Sequence, residues 1–82
     1  MMKSQVFSIT SIYVPVKRRA TLDADKVQTI AESIMETGQK APILVRKDGD
    51  RLVLVEGLHR LEACRSLGEE TILGYLVEAR RH

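Results

Sequence analysis

The chain has 82 residues, 44% of them hydrophobic and 29% charged, which suits one small folded domain, leaves no room for a second and is not a disordered composition. A net charge of +2 is too small to mark a nucleic-acid binder by itself, and no run approaches the roughly 20 apolar residues of a membrane span. The single cysteine, Cys64, excludes an internal disulfide and a multi-cysteine zinc site and fits a cytoplasmic setting; the opening residues lack an apolar segment, so no secretory signal is expected.

Val6 to Val14 carries β-branched and aromatic residues in partial alternation and predicts a strand. Pro15 to Thr21 reads as a basic loop. Asp23 to Thr37 predicts a helix, with Asp23 as N-cap, Gly38 just past the end and Pro42 beyond the stop. Ile43 to Lys47 is a strand, Asp48-Gly49-Asp50 a hairpin turn, and Arg51 to Glu56 a second strand. The run Leu52-Val53-Leu54-Val55 implies burial on both faces of that strand. Leu58 to Leu67 is a helix ended by Gly68, and Thr71 to Glu78 a last strand before a basic end at Arg80, Arg81 and His82. The order β-α-β-β-α-β predicts an α+β domain with a small mixed sheet and two packed helices.

At about 100° per residue, Val27, Ile30, Ala31 and Ile34 form the core stripe of the first helix. Lys26, Thr29 and Ser33 fall on a narrow stripe beside it, each able to donate a hydrogen bond. That row suits an anion lying along the helix, although such a flank is more often simply solvated. The second helix opens through Glu56-Gly57-Leu58-His59-Arg60. Helix starts present free N–H groups and a positive dipole end, where acids and not cations are favoured. Arg60 also aligns with Ala63, Cys64 and Leu67, which turns it toward the packed side, where an unpaired charge costs several kcal/mol. Two partners are open: Glu56 in an ion pair, or a phosphate taking the N–H groups, the dipole and the guanidinium together, with Gly57 letting the backbone come close. Neither excludes the other.

Cys64, among Leu61, Ala63 and Leu67, reads as a small buried apolar residue. No second histidine, cysteine or aspartate stands at metal-ligand spacing from His59, so no metal site is expected. Lys17, Arg18 and Arg19 are the densest cation run, either solvated or in contact with nucleotide or nucleic-acid phosphates. The few aromatic residues do not interleave with basic ones, and no third helix is expected that would serve as a DNA-recognition helix.

Val55 to Ala63 resembles the Gly-x-x-Arg-x-x-Ala box of the ParB N-terminal domain through Gly57, Arg60 and Ala63, and the Gly-Cys-His-Arg segment of sulfiredoxin through Gly57, His59 and Arg60. Leu22 to Ile30 is similar to the sulfiredoxin helix that holds ATP with a lysine and two hydroxyls three and seven positions on, matched by Lys26, Thr29 and Ser33. The resemblance spans roughly residues 6 to 79 and implies the shared ParB/sulfiredoxin fold. It implies a nucleotide, ATP or CTP, with magnesium bridging its phosphates; His59 and Arg60 would hold the phosphates and Gly57 would shape the turn. Arg18 or Arg19 would correspond to the arginine of the first ParB box. Leu58 stands where sulfiredoxin has its nucleophilic cysteine, so sulfinic-acid reduction is not expected. The family's helix-turn-helix and dimerisation domain have no counterpart in these residues, so sequence-specific DNA reading would need a partner chain. Relatives of the fold that transfer phosphoryl groups make Glu56 the candidate base of a phosphotransferase, ATPase or CTPase. A homodimer is permitted.

Overall fold

The computed structural model describes residues 3–78; the basic end at Arg80 and Arg81 lies outside them. The predicted strand Val6–Val14 is two strands. β1 (Gln5–Ser8) and β2 (Ile12–Tyr13) are separated by a 3-10 turn over Ile9–Ser11. Hydroxyl side chains offer the backbone a local alternative to ladder pairing. Here the Ser11 hydroxyl donates to the Ser8 carbonyl at 2.7 Å, and the Ile9 N–H turns away to the Glu70 carbonyl. The two halves then pair at opposite ends of a five-stranded sheet ordered β1-β5-β3-β4-β2. Flat, four strand spacings of about 4.8 Å would hold β1 and β2 roughly 19 Å apart. A 3-10 turn rises only about 2 Å per residue, so the sheet must curl to let so short a link join its two borders.

The basic segment after Pro15 is a helical turn, α1 (Val16–Arg19), and not a loop. Proline suits a helix start because its φ is already set and its missing N–H would have had no partner there. The Pro15 carbonyl accepts from the N–H groups of Arg18 and Arg19, and the Thr21 hydroxyl closes on the Arg18 carbonyl at 2.7 Å. The domain therefore has three helices rather than two.

α2 (Ala24–Thr37) starts and stops as its sequence predicts. Asp23 Oδ1 accepts from the N–H groups of Asp25 and Lys26 at 2.9 and 3.4 Å, and Gly38 takes a φ of 78° at the other end. β3 (Ile43–Asp48) and β4 (Arg51–Glu56) form the expected hairpin, with Arg51 paired to Asp48 at 3.2 Å across the turn. α3 (Leu58–Ser66) follows, then β5 (Thr71–Val77), which lies antiparallel to β1 and parallel to β3. Just ahead of β3, Pro42 offers no N–H to the sheet. Gln39 takes the place of a strand residue: its Nε2 donates to the Leu73 carbonyl at 2.9 Å, and its Oε1 accepts from the Leu73 N–H at 2.8 Å.

Ala31 and Ile34 of α2 and Leu58, Leu61, Ala63 and Cys64 of α3 pack on Ile43, Val45, Leu54 and Ile72. Val53 and Leu54, adjacent on β4 and pointing to opposite faces, are both 2% exposed, so this strand is buried on both sides as its apolar run predicts. The two long helices lie against each other on one side of the sheet, which brings their starting ends together.

Candidate functional site

The site forms where β4 turns into α3. Gly57 makes the turn with a φ of 111°, a left-handed conformation that side-chain-bearing residues rarely adopt. It also packs on the sheet: a Cβ there would lie 2.6 Å from Ile43 Cγ2. The glycine is thus required by the core as well as by the turn. No side chain caps α3, and its first backbone bond runs from the Leu61 N–H to the Gly57 carbonyl at 2.9 Å. Among the described residues the N–H groups of Leu58, His59 and Arg60 meet no acceptor. Three open N–H groups at the positive end of a helix attract an anion.

His59 is half-buried and ties this helix start to the other one. Its Nε2 accepts from the Asp23 N–H at 3.0 Å. Beside the link lies an open crevice of about 290 Å³ lined by Asp25, Lys26, Thr29, Ile30 and His59. Lys26, Thr29 and His59, which come from two separate stretches of sequence, therefore share one wall. The Thr29 hydroxyl spends its proton on the Asp25 carbonyl at 3.0 Å, leaving its oxygen to act as an acceptor. Ser33 is exposed one turn further along α2 and does not line the crevice. Asp25 does line it, although an acidic residue has no place in a row of donors. Its spacing of four residues from Thr29 on one helix face was the signal available.

Arg60 corrects the sequence argument. It is half-buried, yet it forms no ion pair with Glu56, and among the described residues no buried side-chain nitrogen or oxygen lacks a partner. With no partner of its own, its charged head therefore reaches water. Glu56 is exposed and lines neither this crevice nor the larger groove described next. Cys64 is buried as expected. Burial pushes its thiol above the ordinary value, the nearby Glu69 carboxylate adds to this, and Arg60 pulls the other way.

Arg18 and Arg19 are exposed in the last turn of α1. Arg19 lines a groove of about 600 Å³ together with Ile9, Tyr13, Leu22, Leu58 and Arg65, while Arg18 does not. Leu22 and Leu58 each precede a member of the Asp23–His59 link, so groove and crevice are both lined by residues at or next to that link. Among the described residues no three His, Cys, Asp or Glu side chains gather as a metal site, and no helix is long and apolar enough to cross a membrane.

The profile of the ParB N-terminal domain matches residues 3–81. Over 64 residues the chain is 33% identical to the protein named probable chromosome-partitioning protein ParB in Campylobacter jejuni, covering 78% of this chain and 23% of that one. Over 50 residues it is 40% identical to the chromosome-partitioning protein ParB of Myxococcus xanthus, covering 61% and 17%. It therefore spans less than a quarter of the length of these relatives. Among solved structures it is similar to sulfiredoxin from Arabidopsis thaliana, with a TM-score of 0.84 and 27% identity over 94% of this chain and 86% of that one. It is similar also to the C-terminally truncated ParB of Caulobacter crescentus complexed with CTP-gamma-S, with a TM-score of 0.81 and 27% identity over 95% and 46%. A mutant free serine kinase in complex with ADP shares the fold at 17% identity, with a TM-score of 0.78 over 90% and 30%. The α+β architecture, the Gly57–Ala63 box at the start of α3 and the match along nearly the whole length lead to one assignment: the chain belongs to the ParB N-terminal domain family.

Proposed function

We propose that this protein binds a nucleoside triphosphate, with the phosphates against the start of α3. The N–H groups that follow Gly57, together with His59 and Arg60, form one wall; Lys26 donates from the other, beside Thr29, which turns its hydroxyl to the ligand only by releasing the Asp25 carbonyl, and Ser33 continues that row. The observation that carries this is the uncapped start of α3 opening beside a crevice that already holds Lys26 and His59. A guanidinium whose head reaches solvent, as that of Arg60 does, is free to take a phosphate in a two-pronged bond. The similar Caulobacter ParB was solved with CTP-gamma-S, which supports a nucleotide ligand of this class. Magnesium fits as an ion held mainly by phosphate oxygens and water, with Asp25 the one carboxylate in the crevice. Calorimetry with ATP and with CTP, each with magnesium, tests the proposal. Heat is expected with at least one of them, and absence of heat with both removes the idea.

Two further readings each have an observation in their favour. The groove lined by Arg19, Leu22 and Leu58, about 600 Å³, has room for a phosphoryl acceptor, which favours a phosphotransferase or nucleotide hydrolase. Release of γ-phosphate would support that activity; because Glu56 lines neither space, its role as base stands only if Glu56→Gln loses that release with binding retained. The exposed Lys17, Arg18 and Arg19 on a single helical turn favour phosphate contacts with DNA, made without reading sequence unless a DNA-binding partner chain supplies a recognition helix. No gel retardation even at low salt would eliminate that role.

A further inference from the structure

The link between Asp23 and His59 determines more than how the two helices sit. A main-chain N–H can only donate, so the Nε2 it meets at 3.0 Å must present a lone pair. A neutral imidazole has one protonated and one bare nitrogen, so the ring proton stands on Nδ1. We propose that the Asp23 N–H locks His59 in the Nδ1–H tautomer and thereby makes Nδ1 the ring's donor toward an anionic ligand. Asp23 is the positioning residue, acting through His59. The choice of ligand rests on the nucleotide reading above; the tautomer does not.

The surroundings support such a lock. The Asp23 carboxylate is already occupied, since its Oδ1 accepts from the N–H groups of Asp25 and Lys26. It therefore holds its own main chain in place while the N–H of the same residue faces the ring. A second proton on His59 would set Nε2–H against the Asp23 N–H, donor against donor, and break the tie between the starts of α2 and α3. Asp25 and Lys26 line the crevice with the ring, Asp23 meets it through its N–H, and Arg60 and Glu62 follow it on α3, one and three positions along. A phosphate is thus met by a neutral donor with a fixed direction, flanked by the positive charges of Lys26 and Arg60.

Nitrogen NMR of histidine-labelled protein, with the His82 signal assigned by His82→Gln, tests the lock without any ligand. Above the imidazole titration range Nδ1 is expected as the protonated nitrogen and Nε2 as the bare one; free imidazole side chains prefer the reverse. A ring with the proton on Nε2 overturns the proposal. Two variants then separate the two nitrogens. His59→Gln sets an amide oxygen near the place of Nε2, keeping the acceptor for Asp23 but losing the Nδ1 donor. His59→Asn sets an amide nitrogen near Nδ1, keeping the donor but losing the tie. His59→Gln should keep the slow exchange of the Asp23 amide and bind ATP or CTP roughly tenfold more weakly. His59→Asn should keep most of the affinity and release that amide to fast exchange. The opposite pattern overturns the donor assignment. If wild-type protein binds neither nucleotide, the phosphate role of Nδ1 fails along with the nucleotide reading, and NMR alone decides the tautomer.

Discussion

Gly57 is pressed against Ile43 so closely that a Cβ on the glycine would come within 2.6 Å of the Ile43 Cγ2 atom and 3.0 Å of its Cβ. The box residue that shapes the start of α3 is therefore also a packing residue of the sheet. Gly57→Ala meets two costs: a left-handed backbone, about 1–2 kcal/mol, and an overpacked contact, about 1–3 kcal/mol. A loss of about 2–5 kcal/mol is expected, read as a fall in the urea midpoint. Gly68→Ala is the control. Its φ is 78° but nothing lies within 4 Å of an added Cβ, so it should lose only about 1–2 kcal/mol. Equal losses in the two variants would show that the Ile43 contact is relieved without cost.

Arg60 is available to a ligand because it has no carboxylate partner within the described residues. Arg60→Ala should weaken nucleotide binding at least tenfold, the loss of about 1.5–3 kcal/mol typical of a hydrogen bond to a charged group. Glu56→Gln should leave folding stability within about 0.5 kcal/mol, as exposed substitutions usually do. A stability loss shared by Glu56→Gln and Arg60→Ala, and absent from the sum in the double variant, would restore the ion pair that the structure does not form.

Asp25 places a negative charge in a crevice proposed to take phosphates. Without magnesium it should repel them, and with magnesium it should share the ion. Calorimetry of Asp25→Asn is expected to show tighter nucleotide binding than wild type in EDTA and a smaller gain when magnesium is added. An unchanged magnesium gain would remove Asp25 from the proposed ion shell.

Cys64 links burial to pH. Its thiol is raised in the folded state, first by burial and then by Glu69, so in alkali the folded protein keeps a proton that the unfolded chain gives up. Stability should therefore be intact below the ordinary thiol value and decline as pH climbs from that value toward the raised one. Chemical denaturation across that window should show the decline in wild type and a flatter curve in Cys64→Ala. Equal slopes would mean that other groups carry the alkaline dependence.

The legible parts of this fold are those with strong local chemistry. Asp23 caps, Gly38 stops α2, and the Asp-Gly turn sets the β3–β4 hairpin. The split between β1 and β2 was hidden because alternation runs through both pieces; the hydroxyls of Ser8, Thr10 and Ser11 were the cue. α1 is not legible because four residues are too few for a helical period, and Pro15 suits the start of a loop as well as the start of a helix. Sequence periodicity put Lys26 and Thr29 on one stripe but could not show His59 reaching them, since that meeting depends on how α2 and α3 pack. For Arg60 a helical wheel gave the direction of Cβ, while the end of so long a side chain travels elsewhere.

One stretch, Gln5–Tyr13, supplies both border strands of the sheet. Removing it would strip β5 and β4 of their outer neighbours in a single step and leave main-chain N–H and C=O groups bare on each flank. A shortened chain would then carry two sticky margins and tend to polymerise, so this leading ribbon doubles as a guard against aggregation.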